Sequence, residues 1–123
     1  IIGASIVSWD DMREAARAIA AMGAANVVIK GGHREDAAAT DLLYDGQTFR
    51  EFSAVRVVTQ STHGTGCTFA SAIAATLAKG QSVPMAVATA KAYVTKALQL
   101  AYPLGQGHGP VHHFYKYWPT STR

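Results

Sequence analysis

The sequence predicts an α/β protein in which helices cover both faces of a sheet. Segments with apolar residues at helical spacing alternate with short β-branched runs, as in layered α/β folds. One such run, Val55 to Thr59, leads through a glycine-containing loop into an uncharged, Ala-rich segment from Phe69 to Ala78. That segment has the composition of a buried helix. We therefore expect the fold to be organised around a strand, a glycine loop and a buried helix, in that order.

The first helix and the strand after it have clear boundaries in the sequence. Ser8 and Asp11 form a capping-box pattern, and apolar residues then recur at helical spacing up to Gly23. Asn26 to Ile29 follows as a short buried strand, which ends at Lys30. These signals predict a helix that is connected by a short loop to a strand.

A hairpin is predicted next, because two strand-like runs flank the dipeptide Asp45-Gly46. The runs are Thr40 to Tyr44 and Gln47 to Phe52. Asp-Gly suits a two-residue hairpin turn, in which both central residues need a positive φ.

The helix after the glycine loop is expected to end at Gly80, and a further helix to begin after Ser82 and to end before Pro103. The segment from Gly105 to Pro110 is then predicted to be a loop. Val111 to Trp118 is rich in aromatic residues, and we expect it to pack on the domain.

Composition limits the classes of function. The chain has 123 residues, 49% of them hydrophobic and 15% charged, which indicates one packed domain or a part of one. The net charge is +3, with Lys and Arg scattered, so we expect no nucleic-acid partner and favour anionic small molecules. No apolar run is long enough for a membrane span, and no signal peptide is visible. With a single cysteine, these features predict a cytoplasmic protein without a membrane partner.

The stretch from Ser61 to Thr68 is the candidate functional site. Its glycines allow a tight turn, and the first N–H groups of the following helix have no partner inside that helix. Such a loop favours an anion, and the helix start also favours the thiolate form of Cys67. The P-loop pattern is absent, and a dinucleotide motif would need glycine where the chain has Phe69.

Other candidate residues have simpler structural explanations. Lys30 is either a solvated charge at a strand end or a ligand-binding residue at the carboxyl end of that strand. His63 either contacts phosphate or packs the loop. Three histidines of the tail have a spacing that permits zinc, although tail packing accounts for them better. These are His108, His112 and His113. Three further polar residues are expected to be solvated: His33, Glu35 and Asp36.

Three segments resemble the hydroxymethylpyrimidine/phosphomethylpyrimidine kinases of thiamine biosynthesis, a branch of the ribokinase-like superfamily. They are Val28 to His33, Thr62 to Thr68 and Gly107 to Phe114. The resemblance covers essentially the whole chain. It implies a mostly parallel sheet and only the C-terminal, nucleotide-binding half of such a kinase, with residues 1–123 forming a single partial domain. Relatives commonly have Asn or Asp where this chain has Ser61.

The resemblance also implies an activity. The family phosphorylates 4-amino-5-hydroxymethyl-2-methylpyrimidine, and then its monophosphate, with ATP and Mg²⁺. By position, Gly64, Thr65 and Gly66 would form the anion hole and Cys67 would be the base. Lys30 and Thr62 would bind the nucleotide. The missing N-terminal half would be a partner, and we expect the chain to form homo-oligomers.

Alternatives from other classes remain open at this point. A related vitamin kinase would act on a hydroxyethylthiazole or on pyridoxal. A non-catalytic fragment would bind nucleotide or assemble with a partner. A redox-sensing role for Cys67 is a further hypothesis.

Overall fold

The structure is a computed structural model that describes residue 3, residues 5–31 and residues 38–118. It divides into two compact units, an N-terminal unit of residues 1–55 and a C-terminal unit of residues 56–123. Within the described ranges, no helix is both long and apolar enough to cross a membrane. The three polar residues expected to be solvated, namely His33, Glu35 and Asp36, lie outside the described residues.

The N-terminal unit contains one helix and three strands. In chain order these are α1 (Trp9–Ala21), β1 (Val27–Ile29), β2 (Ala38–Tyr44) and β3 (Phe49–Val55). The strands form an antiparallel sheet in the order β1-β2-β3, with Leu43 of β2 opposite Val28 of β1 and Arg50 of β3. Only eight residues separate β1 from β2. Such a connection is shorter than the crossover that parallel neighbours need. The α/β class is thus confirmed, while the described strands run antiparallel rather than mostly parallel.

The predicted capping box starts α1. The Ser8 hydroxyl accepts a hydrogen bond from the Asp11 amide at 3.1 Å, and the Asp11 carboxylate accepts one from the Ser8 amide at 2.7 Å. The helix packs on β1 and β2 through Met12 and its small neighbours Ala15 and Ala16, all of which are buried. The helix ends as predicted, because Gly23 follows it with φ of +110°.

The hairpin is present, but its predicted two-residue turn is wrong. Tyr44 pairs with Phe49, which leaves a loop of residues 45–48 between β2 and β3. Only Gly46 has a positive φ in this loop. The Asp45 carboxylate instead organises it, accepting hydrogen bonds from the amides of Gln47 at 3.0 Å and Thr48 at 2.6 Å. An Asp side chain that mimics a backbone turn therefore replaces the tighter type of turn.

The C-terminal unit contains two helices that pack against each other, α2 (Thr65–Ala78) and α3 (Val83–Gln99). Their predicted ends are confirmed, since Gly80 follows α2 with φ of +78° and Ser82 is the N-cap of α3. The buried face of α3 consists mainly of small residues, which permit close packing: Ala86, Val87, Ala90, Val94 and Ala97.

Two predictions about burial and strand formation are wrong in this chain. β3 ends at Val55, and residues 56–60 form no strand; Val58 is 96% exposed. A strand requires a neighbour, and none of the described strands pairs with this segment. The sequence predicts a buried helix here, but Phe69 is the one buried residue of α2. Its composition is that of a covered helix, whereas much of its surface is exposed here.

The aromatic tail packs less completely than predicted. Val111 and His112 are buried, but Phe114, Tyr117 and Trp118 are exposed. Residues 113–117 form turns instead of a helix or strand. Only the first part of this segment therefore joins the core of the C-terminal unit.

Candidate functional site

The glycine loop forms a closed turn at the start of α2. Gly64 is the N-cap residue and has φ of +81°, a conformation that favours glycine. Its carbonyl oxygen accepts hydrogen bonds from the Thr68 amide at 2.9 Å and the Thr68 hydroxyl at 2.7 Å. The Thr65 hydroxyl donates to the carbonyl oxygen of Thr62. Backbone conformation and local hydrogen bonds together fix residues 62–68, hereafter the glycine turn.

The glycine turn leaves backbone donors available. Across the described part of the chain, the amides of Gly66 and Cys67 make no hydrogen bond. A methyl group on Gly66 would meet no atom within 4 Å, and Gly66 has no positive φ. The fold itself therefore gives no reason for glycine at this position. Open space above unpaired helix-start amides is the arrangement that binds phosphate groups.

Cys67 is the third residue of α2 and carries an exposed free thiol. Its backbone amide is one of the two unpaired donors, so the thiol belongs to the same turn as these donors. The structure thus brings together all the predicted site residues of the C-terminal unit: Thr62, Gly64, Thr65, Gly66 and Cys67.

Lys30 lies in the N-terminal unit, immediately after β1, and it is exposed. The next residue fixes the strand end, because the Gly31 amide donates to the Asp41 carboxylate at 3.2 Å in a buried position. Lys30 is therefore held at the carboxyl end of its strand, as the sequence predicts.

The sequence did not predict which residues contact the glycine turn. His108 places Nδ1 3.3 Å from the Gln60 carbonyl oxygen and 3.5 Å from the Thr62 hydroxyl. The His63 amide donates to the Gly109 carbonyl oxygen at 3.0 Å. The pattern Gly-His-Gly marked the tail as notable, but no local signal indicates a contact across more than 40 residues.

The remaining tail histidines differ in burial, since His113 is exposed and His112 packs into the C-terminal unit. His112 is buried, and its Nε2 donates to the Trp118 carbonyl oxygen at 2.9 Å. In the ranges that the structure describes, no three potential ligands among His, Cys, Asp and Glu come together as a metal site. The His63 amide donates to the Gly109 carbonyl oxygen and the residue is exposed, while a phosphate contact of His63 stays a prediction.

Charge is distributed unevenly along the sequence, which composition alone did not reveal. No Asp or Glu follows Glu51, whereas Lys and Arg recur from Arg56 to Arg123. The C-terminal unit is therefore uniformly cationic in its fixed charges. This sign favours an anionic ligand at the glycine turn.

The fold and the glycine turn define an α/β protein of the ribokinase-like class. The structure resembles that of Bacillus subtilis pyridoxal kinase in an ADP complex, with a TM-score of 0.86, 43% identity, and 90% of this chain and 42% of that chain covered. The sequence model of the phosphomethylpyrimidine kinase family matches residues 1–112. The chain therefore belongs to the phosphomethylpyrimidine kinase family, as its motifs predicted.

Two curated relatives show how much of such proteins the chain represents. It is 51% identical over 113 residues to the thiamine biosynthesis bifunctional protein ThiED of Geobacter sulfurreducens, covering 92% of this chain and 23% of that protein. It is 45% identical over 115 residues to the hydroxymethylpyrimidine/phosphomethylpyrimidine kinase of Bacillus subtilis, covering 93% of this chain and 42% of that protein. The chain thus spans less than half the length of these relatives.

Proposed function

We propose that this chain is the C-terminal, nucleotide-binding part of an ATP-dependent kinase, and that residues 1–123 belong to one partial domain. The proposed reaction is phosphorylation of 4-amino-5-hydroxymethyl-2-methylpyrimidine and then of its monophosphate. The observation that carries this proposal is the open glycine turn, where the amides of Gly66 and Cys67 are unpaired and uncovered. Family membership supports the choice of phosphate as the ligand.

The glycine turn would stabilise the charge of the transferring phosphoryl group. ATP supplies that group when it is bound. The Thr65 amide already donates to the Thr62 carbonyl oxygen at 3.3 Å, so Thr65 of the predicted anion hole has no free amide for phosphate. The amides of Gly64, Gly66 and Cys67 would donate to the phosphoryl oxygens, where preorganised donors lower the barrier most effectively. Thr62 and Lys30 would bind the nucleotide phosphates. Cys67 would take the proton of the attacking hydroxyl group. The oxygen of that hydroxyl would form the new bond to the γ-phosphorus as the bond to the bridging oxygen breaks and ADP leaves.

The C-terminal unit supplies no carboxylate ligand for Mg²⁺. Magnesium in phosphate sites is held by one or two carboxylates together with substrate oxygens. No carboxylate follows Glu51 in the sequence. Any carboxylate ligand for a metal at the glycine turn must therefore come from outside residues 56–123.

The exposed apolar surface of α2 is evidence that a further segment covers this helix in the whole enzyme. Exposed apolar residues recur along this helix at a spacing that places them on one side: Ala70, Ala74 and Leu77. The helix has no charged residue from Phe69 to Ala78, and a helix of this composition is usually covered by other protein segments. We propose that the N-terminal half of the kinase covers this surface in the whole enzyme, and that the chain alone covers it by forming homo-oligomers.

A second candidate substrate is pyridoxal. The observation that favours it is the structural similarity to the Bacillus subtilis pyridoxal kinase at 43% identity. The two candidates share the same phosphoryl-transfer site and differ only in the alcohol. A hydroxyethylthiazole alcohol has no comparable support, and a non-catalytic assembly role would leave the open turn without use.

The experiment that tests the proposal mixes this chain with a separately produced N-terminal half and follows ADP release. Hydroxymethylpyrimidine, its monophosphate and pyridoxal are compared as substrates at equal concentrations. We expect ADP release with the pyrimidines from the mixture and none from either part alone. Release with pyridoxal only would replace the pyrimidine by the second candidate. Binding of ATP without release for any alcohol would favour the non-catalytic role.

A further inference from the structure

The tail loop, residues 105–113, contacts the start of the glycine turn. The His63 amide donates to the Gly109 carbonyl oxygen at 3.0 Å, and His63 and Pro110 form a parallel bridge. Nδ1 of His108 lies 3.3 Å from the Gln60 carbonyl oxygen. Because a carbonyl oxygen only accepts, Nδ1 carries the proton in this contact. Two consecutive tail residues therefore hold the chain at the start of the glycine turn.

The tail loop is itself anchored on α3. The His112 amide donates to the Ala97 carbonyl oxygen at 3.0 Å. The Tyr93 hydroxyl donates to the His113 carbonyl oxygen at 2.8 Å. The rings of Tyr102 and His112 meet edge to face, with centroids 5.4 Å apart. The tail loop thus connects the end of a packed helix to the glycine turn.

Gly109 sits at the tightest point of this connection. It is buried, and a methyl group on it would lie 2.9 Å from the Ser61 hydroxyl oxygen, with the Leu104 backbone next, at 3.5 Å. Ser61 is only 4% exposed, and its hydroxyl donates to the Tyr102 carbonyl oxygen at 3.4 Å. Gly109 has no positive φ, so close approach rather than backbone conformation requires glycine. Gly107 contrasts with it, since a methyl group there would meet nothing within 4 Å.

We propose that Gly109 is a positioning residue for phosphoryl transfer, and that His108 assists it. Gly109 lets the tail loop approach Ser61 closely enough to hold His63, and His63, at the start of the glycine turn, sets the entry of the chain into α2. The amides of Gly66 and Cys67 take their positions from this entry. This inference rests on the proposed function, because it assigns a purpose to a contact beside the proposed anion site. Displacements of about 1 Å at such a site lower rates about 100-fold.

The kinetic test uses the full-length kinase that carries this chain. We expect Gly109→Ala to lower kcat about 10- to 100-fold while the KM for the alcohol changes less than threefold. Gly107→Ala is the matched control in the same loop and should keep the kcat of the unmodified enzyme. The double variant Ser61→Ala/Gly109→Ala removes the hydroxyl that the new methyl group meets, and should recover most of the lost kcat. Equal kcat values for Gly107→Ala and Gly109→Ala would overturn the proposal. A double variant whose kcat stays as low as that of Gly109→Ala, while Ser61→Ala alone keeps a normal kcat, would also overturn it.

A second measurement does not depend on kinase activity. Hydrogen exchange of the His63 amide in the 123-residue chain reports its hydrogen bond to Gly109 directly. We expect faster exchange in Gly109→Ala and in His108→Ala, and protection close to the original in Gly107→Ala and His108→Asn, because Asn places an amide N–H near the position of Nδ1. Because His108 is exposed, we expect its variants to fold, and they test the contact even if Gly109→Ala does not fold. Unchanged His63 exchange in His108→Ala would contradict the role of His108.

The two measurements separate the possible failures. An inactive unmodified enzyme whose His63 amide still responds to the variants would reject the proposed function and retain the contact. If the unmodified enzyme is active and Gly109→Ala has the same kcat, the proposed function stands and the positioning role of Gly109 is rejected.

Discussion

A methyl group on Gly31 would collide with the carbonyl oxygen of Thr40 in β2. The same residue donates its amide to the buried Asp41 carboxylate at 3.2 Å. Glycine therefore lets the end of β1 lie directly against β2, just after Lys30. We predict that Gly31→Ala lowers the free energy of unfolding by about 1–3 kcal/mol, the usual cost of forcing extra atoms into a packed site. Chemical denaturation of the 123-residue chain at fixed concentration measures this change.

The control for Gly31→Ala is Gly107→Ala, which adds the same methyl group where no atom lies within 4 Å. We expect its unfolding free energy to stay within about 0.5 kcal/mol of the original. Equal stability of the two variants would mean that β1 does not approach β2 as described.

The Asp45 loop makes the N-terminal unit sensitive to acid. Hydrogen bonds from the backbone of Thr48 and Gln47, and from the Thr48 hydroxyl, lower the pKa of the Asp45 carboxyl from 3.8 to about 2. A carboxyl whose pKa is lower in the folded state adds stability above its unfolded pKa. That stability is lost as the pH falls from about 4 through about 2. The Asp11 carboxyl has a lowered pKa in the same direction, because it accepts from the amides of Val7 and Ser8 and from the Ser8 hydroxyl.

We predict that Asp45→Asn flattens the fall in stability between pH 4 and pH 2. Unfolding midpoints measured across this range give the slope. Asp10→Asn changes the net charge equally without touching the loop, so a comparison of the two variants separates the loop from the overall charge. The same slope for Asp45→Asn and the unmodified chain would contradict the hydrogen-bonding pattern of the loop.

Cys67 is predicted to act as a base in the full-length kinase. Cys67→Ala should lower kcat by about 10²–10⁴ with little change in nucleotide affinity, the range expected for loss of a general base. Ser71→Ala, an exposed change in the same helix, serves as the control. Cys67→Asp should retain more activity than Cys67→Ala, because a carboxylate also accepts a proton. An unchanged kcat in Cys67→Ala would leave the thiol without a chemical role.

The exposed surface of α2 predicts self-association of the isolated chain. Apolar side chains without cover associate with one another or with a partner. Sedimentation of the 123-residue chain should therefore show a size that increases with concentration. Leu77→Lys, on the exposed surface, should reduce this increase, whereas Gln81→Lys just beyond the helix should not. A monodisperse monomer at all concentrations would show that this surface needs no cover.

Local signals in the sequence predicted those elements that depend on neighbouring residues. Ser8 and Asp11 fixed the start of α1 through contacts three residues apart, and Gly80 marked the end of α2. The glycine turn was predicted for the same reason, since its conformation depends on Gly64 and on hydrogen bonds within residues 62–68.

Features that depend on distant or missing neighbours could not be predicted. Val58 has the β-branched character of a strand residue, but a strand forms only beside another strand. The contact between Ser61 and Gly109 joins residues 48 positions apart, and neither residue signals the other. Burial of α2 was overestimated because composition indicates that a surface needs cover without indicating what covers it.

Gly66 provides a variant that separates binding from folding. A methyl group there meets no protein atom within 4 Å and improves helix propensity, so Gly66→Ala should keep or raise the stability of the chain. The same methyl group would occupy the space proposed for phosphate oxygens. In the full-length kinase we expect kcat/KM for ATP to fall about 10- to 100-fold, while Gly107→Ala leaves it unchanged.

The most direct measurement is a crystal structure of the full-length kinase with a non-hydrolysable ATP analogue. The proposal that the glycine turn holds the transferring phosphoryl group predicts phosphate oxygens about 2.9 Å from the amide nitrogens of Gly66 and Cys67. It also predicts that the analogue loses these contacts in Gly66→Ala. A nucleotide bound elsewhere, with the glycine turn empty in the unmodified enzyme, would contradict the account.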